Sequence, residues 1–378
     1  MKKIIIGIDS VFQFIIASNL RMTLYKDDMV DLVIYKSFQS ASDLYNHVRV
    51  TDVYRNVYLA DTSLTKCGNK YSFLEKFPKY FVYLWSMIKP QKVLANIIGQ
   101  KIQDKYDEFL FNGYGALPEC IFNTCYQNNK SIICHRFEDG YSSYFTVYNS
   151  KKNHIRRSLE SLATIIFDRQ KIDDFVKSFY FQEPQMVMST LPYEVVGVPK
   201  FGRHNKKLVD FLNKAFDYNP EEYKQKKVYF FEDGRMFFES DTDEEVEIVS
   251  GISQIVNPNS ILVKLHPRSK INRFEKLGVE TMKKSSVPWE VIQLNQDYGG
   301  VIFVTITSSP IFSSDIYFGD KCYKILLYKC LKTPPSSIDA KFEAYVQKYK
   351  ERFGSEYLFI PKSYDEMRNI LMKLAKIN

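Results

Sequence analysis

Three short clusters in this chain carry residue types that do chemistry together. Glu138, Asp139 and Gly140 follow directly on the apolar run "SIIC" and its extension His135, Arg136 and Phe137. Adjacent carboxylates oppose each other's ionisation, and partial burial at a strand end adds to the effect, so the pair suits proton acceptance near neutral pH. Gly140 frees the backbone to turn sharply beside it. The stretch "KLHPRS" closes a second apolar run and sets His266 and Pro267 between the cations Lys264 and Arg268, a grouping suited to a departing anion. In "TITSSP" the hydroxyls of Ser308 and Ser309 stand at a helix start, where backbone N–H groups also point at an anion. Each cluster has an ordinary reading as well: a solvated acidic turn, a structural histidine, a serine that caps its helix. A second triplet, Glu232, Asp233 and Gly234, shows that the spelling alone is not diagnostic, since Asp-Gly is also a common turn pair.

The elements that must position these clusters alternate in type. Short apolar runs, read as strands, recur at Lys3–Ile8, Asp31–Tyr35, Val57–Ala60, Glu108–Phe111 and Ser131–His135. They recur again at Val228–Phe231, Ser260–Leu265, Val301–Thr305 and Tyr323–Leu327, with "YLFIP" as an edge or connector. Between them, segments such as 11–25, 41–48 and 117–127 space apolar residues at the helix period. The rhythm is α/β, with parallel strands and helical crossovers. It weakens over 200–226, a polar, helix-like stretch ending in a Pro turn and the basic run "YKQKK". The expected division is residues 1–205 as a first Rossmann-like domain, 206–226 as a linker, 227–350 as a second such domain and 351–378 as a C-terminal segment. That segment ends in a helix with the stripe Met367, Ile370, Leu371 and Leu374. Two doubly wound halves facing a central cleft present their strand carboxyl ends, and with them all three clusters, to a ligand.

Composition narrows the function classes. A chain of 378 residues is long enough for two cores. No apolar run approaches the roughly 18 to 20 residues of a membrane span. The opening "IIIGI" is closed by Asp9 and reads as a strand, not a signal peptide. The six cysteines form no CxxC pair, and Cys120 and Cys125 have no histidine at zinc-ligand spacing. This favours a reduced, cytoplasmic setting without a metal. GxGxxG and GxxxxGK[ST] loops are absent, which removes ordinary dinucleotide and P-loop readings. The formal charge of +8 suits an anionic membrane leaflet or a phosphorylated donor, or simply a solvated surface. Basic clusters such as "KKNHIRR" are interrupted and carry no nucleic-acid-binding signature, so no nucleic acid partner is expected.

The ordered set Glu138-Asp139-Gly140, His266-Pro267 and Ser308-Ser309, with Pro288 and Glu290 of "VPWEVI" between the last two, resembles the signature of bacterial sialyltransferases. The likeness is greatest to glycosyltransferase family 52 and the related bacterial polysialyltransferases. The opening "SVFQFIIASNL" resembles the first strand-to-helix turn of those enzymes, and the resemblance reaches from the start of the chain to about residue 330. It implies a GT-B architecture and inverting transfer from a CMP-activated sialic acid, with no metal and no cofactor besides the donor. On this resemblance Glu138, beside Asp139, is the first choice for the base that takes the acceptor proton, with Glu232 and Asp233 as the alternative. His266, as imidazolium, neutralises the leaving nucleotide; Pro267, Arg268, Gly140, Ser308 and Ser309 hold the donor. Glu290 accepts from the ribose hydroxyls or stands exposed in an early helical turn. His135, Tyr141 and Tyr144 border the acceptor sugar. The implied partners are CMP-sialic acid and a glycan acceptor of the cell-surface polysaccharide or lipooligosaccharide type, met in the cytoplasm or at the inner membrane face; a dimer is allowed. A GT-B enzyme using another nucleotide sugar such as a UDP-hexose, and a non-catalytic sugar-nucleotide or glycan-binding protein, are the alternatives.

Overall fold

The computed structural model describes residues 1–63, 85–86, 88–113, 115–145, 169–233, 244–269, 271–282, 287–331 and 338–377. The basic cluster at 151–157, Cys67 and Gly234 lie outside the described residues.

Two parallel sheets dominate. The first has the order β3-β2-β1-β4-β5-β6-β7, built from β1 (Lys3–Ile8), β2 (Met29–Tyr35), β3 (Asn56–Ala60), β4 (Glu108–Phe111), β5 (Ile133–Phe137), β6 (Val176–Phe181) and β7 (Glu194–Gly197). The second runs β10-β9-β8-β11-β12-β13, from β8 (Val228–Phe231), β9 (Ile261–Lys264), β10 (Glu280–Thr281), β11 (Ile302–Thr305), β12 (Tyr323–Leu326) and β13 (Leu358–Phe359). All of these pairings are parallel. The central strands read as continuous apolar runs because both of their faces are covered. In each sheet the winding direction reverses beside the first strand, which opens a crevice at the strand carboxyl ends.

The expected strands are present; β6, β7 and β10 were not foreseen. "VKSFYF" lacks a clean alternation, β7 is a largely exposed edge strand, and β10 has only two residues. The fifth strand also begins later than its apolar run and continues through Phe137, so the acidic pair sits directly at its end.

Helix α1 (Val11–Met22) starts at Ser10, whose hydroxyl accepts from the Gln13 N–H, and Gln13 through Leu20 are all buried. Such burial requires cover on both sides. Further crossovers are α2 (Ala41–Val48), α3 (Pro90–Ile98) and α4 (Ala116–Asn128). Part of the polar stretch 200–226 forms α5 (Lys206–Ala215), capped by Asn205, whose stripe Leu208, Phe211, Leu212 and Ala215 packs against α1 and α2. In the second half lie α6 (Glu244–Ser253), α7 (Trp289–Gln293) and α8 (Pro310–Ser313), the last running on into a π-turn at Ser314–Phe318. Helix α9 (Ala340–Phe353) returns to the first half: Lys348 Nζ donates to Val187 O at 2.7 Å and Arg352 Nη2 lies 3.2 Å from Glu183. Helix α10 (Tyr364–Ile377) packs on α6, burying Met367, Leu371 and Leu374 and half-burying Ile370. One apolar core runs through both halves, and a second, around Ile5, Phe109, Phe111 and Phe122, lies within the first half.

Candidate active site

The cleft between the two sheets holds a cavity of about 600 Å³. Its first wall is made where β1 and β5 end. Asp139 faces it, with one anchored donor on each carboxylate oxygen: Ser10 Oγ reaches Oδ1 at 2.7 Å and Gln13 Nε2 reaches Oδ2 at 2.9 Å. Its own N–H donates to Ser143 Oγ at 2.7 Å. Burial raises the Asp139 pKa above the ordinary carboxylate value, and the Ser10 and Gln13 hydrogen bonds oppose that rise. Gly140, on the same wall, has φ +71°, a left-handed backbone that side chains rarely adopt.

Glu138, the first choice from sequence, points elsewhere. The β5–β6 ladder continues to its N–H, which donates to Tyr180 O at 3.1 Å, so Glu138 follows the pleat inward and Asp139 faces the other way. The Glu138 side chain is fully buried and does not line the cavity. Gln182 N–H donates to its Oε1 at 3.0 Å, while Oε2 has no hydrogen-bond partner. Burial pushes its pKa up to about 8, and the nearby Tyr144 and Tyr317 hydroxyls, neither in hydrogen-bond geometry with it, oppose this only in part. A neutral carboxylic acid therefore stands where sequence reasoning expected a base.

The second wall comes from the ends of β8, β9 and β11. Glu232 lines it but is fully engaged: Arg273 Nη2 donates to Oε1 at 2.6 Å, His266 N–H to Oε2 at 2.7 Å, and Ser269 Oγ also to Oε2. Asp233 lies outside the cavity lining, accepting from Thr307 Oγ1, with its N–H donating to Glu245 Oε1 at 2.7 Å. The same Arg273 bridges to Glu245 Oε2 at 2.6 Å, and burial pushes Glu245 up to about 7. The second triplet thus anchors the His-Pro loop; neither of its acids is a free proton acceptor.

His266, Pro267 and Arg268 line the cavity. His266 Nδ1 accepts from the Arg268 N–H at 3.1 Å, which leaves Nε2 to carry the proton of the neutral ring. Burial, with the Arg268 charge, lowers its pKa. The imidazolium expected from sequence is therefore disfavoured here until an anion arrives. Lys264, also buried in the lining, is lowered to about 8 by burial, against the pull of Glu290 and Glu232. Glu290, in the first turn of α7, lines the cavity, accepts from Ser313 Oγ at 3.1 Å and is raised by burial; it is not exposed. Ser308 and Ser309 face the cavity, and among the described residues no hydrogen bond within the chain occupies either hydroxyl. The Ser309 side chain does not cap the helix that follows it.

Of the acceptor-side candidates only Tyr141 reaches the lining, its ring 5.2 Å from Phe312 of the opposite half. Tyr144 is core, packed on Phe181 and Tyr345. His135 is held inside the sheet by Ser178 Oγ at 2.7 Å and the Tyr180 ring at 5.0 Å. Sequence reasoning missed Tyr317 and Ser313, and it gave Gln13 no role of its own, although Gln13 stands within the opening "SVFQFIIASNL". Among the described residues no group of three or more His, Cys, Asp or Glu is arranged to hold a metal ion, and no helix is long and apolar enough to cross a membrane.

Residues 72–327 match the family model described as alpha-2,8-polysialyltransferase (POLYST). No curated protein sequence matches. Among solved structures, UGT89C1 of Arabidopsis thaliana complexed with UDP-L-rhamnose is similar at 10% identity and a TM-score of 0.52, over 100% of this chain and 92% of that one. Spinosyn forosaminyltransferase SpnP is similar at 9% identity and a TM-score of 0.51, over 99% of this chain and 90% of that one. An alpha/beta-galactoside alpha-2,3-sialyltransferase from Photobacterium phosphoreum gives 11% identity and a TM-score of 0.49, over 95% and 98%. At such identities the first two likenesses show the fold alone, and that fold is GT-B.

Proposed function

As the chain belongs to the alpha-2,8-polysialyltransferase family and is a glycosyltransferase, we propose that it moves sialic acid from a CMP-activated donor to a hydroxyl of a glycan acceptor, with inversion and without a metal. In this reading the acceptor oxygen bonds to the anomeric carbon as its proton passes to Asp139. The bond from that carbon to the phosphate oxygen breaks on the opposite face, and its electron pair leaves with CMP. The departing phosphate takes hydrogen bonds from His266 Nε2 and the Ser308 and Ser309 hydroxyls, with Lys264 supplying positive charge. Binding a dianion raises the His266 pKa, so the ring gains a proton as negative charge develops beside it. Glu290 accepts from the nucleoside hydroxyls. The family description makes a glycan already ending in sialic acid the first acceptor to try.

One observation carries this reading: a carboxylate with a fixed plane and a set of anion donors face the same cavity from opposite halves of the molecule. The test is a nucleotide panel by thermal shift. A ligand that binds only the native state at a hundred times its Kd adds about 2.7 kcal/mol, so CMP should raise Tm while UDP and GDP leave it unchanged. Stabilisation by UDP alone would transfer the site to another donor. With CMP-sialic acid, transfer should persist in EDTA, and NMR of the first product should show the anomeric configuration opposite to that of the donor.

A further inference from the structure

Gln13 sits in the first turn of α1 with its side chain buried. Its Nε2 donates to two carboxylates, Asp9 Oδ1 at 2.6 Å and Asp139 Oδ2 at 2.9 Å, while its Oε1 accepts from the Asp9 N–H at 2.9 Å. The last bond settles the orientation of the amide. A backbone N–H only donates, so the oxygen faces it and both amide hydrogens face carboxylates. Ser10 completes the arrangement from the same turn: its hydroxyl donates to Asp139 Oδ1 and accepts the Gln13 N–H at 3.1 Å.

Resting on Asp139 as the base, we propose that Gln13 is a positioning residue for transfer, aiming the Asp139 carboxylate at the acceptor hydroxyl and holding it ionised by sharing two hydrogens between Asp139 and Asp9. Among side chains of this length, only an amide offers two donors and one acceptor without charge. Methionine has the length and no donor; glutamate brings a third carboxylate. A donor to a charged group favours the charged form, so its loss raises the affinity of Asp139 for a proton and frees the carboxylate plane to rotate. The other charged and titratable groups around the cavity are Asp9 on the same turn, Tyr141 beyond Gly140, and Lys264, His266, Arg268, Glu232, Glu290 and Tyr317 opposite. Of these, only Asp9, which shares the same amide, loses a hydrogen-bond partner when Gln13 is changed.

The experiment compares Gln13→Met with Asp139→Asn, using CMP-sialic acid and a sialylated oligosaccharide and following kcat, donor KM and the pH profile of kcat/KM. For Gln13→Met, kcat should fall roughly ten- to a hundredfold, donor KM should stay within about twofold, and the acid limb should move to higher pH. Should Gln13→Met fail to fold, Gln13→Glu keeps the size and shifts the acid limb further in the same direction. An inactive Asp139→Asn alongside a Gln13 variant with wild-type kcat and acid limb overturns the proposal. An Asp139→Asn enzyme that turns over at the wild-type rate overturns the assignment of the base itself, and the role of Gln13 with it.

Discussion

Two neighbouring acids, Glu138 and Asp139, meet opposite surroundings, and opposite behaviour follows from each. Asp139→Asn keeps the shape of the wall but cannot accept a proton, so transfer should fall by about two to four orders of magnitude while CMP still raises Tm. That split separates chemistry from binding. Glu138, with a pKa pushed up to about 8 against an ordinary 4.5, is protonated in the folded chain over a range where the unfolded chain has lost the proton. A carboxyl raised in this way lowers stability as pH climbs from about 4.5 to 8, because the native state then holds more protons than the unfolded one. Glu138→Gln mimics the neutral acid. Urea unfolding should show the variant equal to wild type near pH 4 and more stable at pH 9, by up to about 4 kcal/mol.

Loops held by ion pairs matter as much as the groups that touch substrate. Glu232 ties the His266 backbone, Ser269 and Arg273 together, so Glu232→Gln should cost roughly 1–3 kcal/mol in urea unfolding. It should also weaken CMP-induced stabilisation, through looser placement of His266. The sequence made much of this level legible: the parallel strands, the acid pair at the end of β5, and the Lys264–Arg268 and Ser308–Ser309 loops all follow from apolar runs ending in polar residues. Which acid of each pair faces the cavity did not follow. The choice between Glu138 and Asp139 turns on a strand continuing past its apolar run into the acids, and no periodicity marks that point. Glu232 looked like a base because nothing near it in the chain reveals Arg273, which approaches from 41 positions away. The role of Gln13 was invisible for a similar reason, since its partner Asp139 lies 126 positions further on.

At the scale of the molecule, the halves are joined by buried polar ties as well as by their shared core. Arg203, just ahead of α5, grips Asp320 with both terminal nitrogens at 2.8 and 2.6 Å and donates through Nε to Gln293 O and Gln296 O. Arg203→Ala leaves Asp320, almost wholly enclosed, with the Gln293 amide in place of a cation. It should lower stability by about 3 kcal/mol, measured by urea unfolding. Helix α9 ties from the other direction, placing Tyr345 against Tyr141 and Phe145 beside the cavity. Chimaeras between relatives therefore have an awkward boundary. Swapping the second half wholesale would import a foreign helix against the first wall of this chain's cavity, so a working hybrid must retain residues 340–353 from the parent that supplies Tyr141.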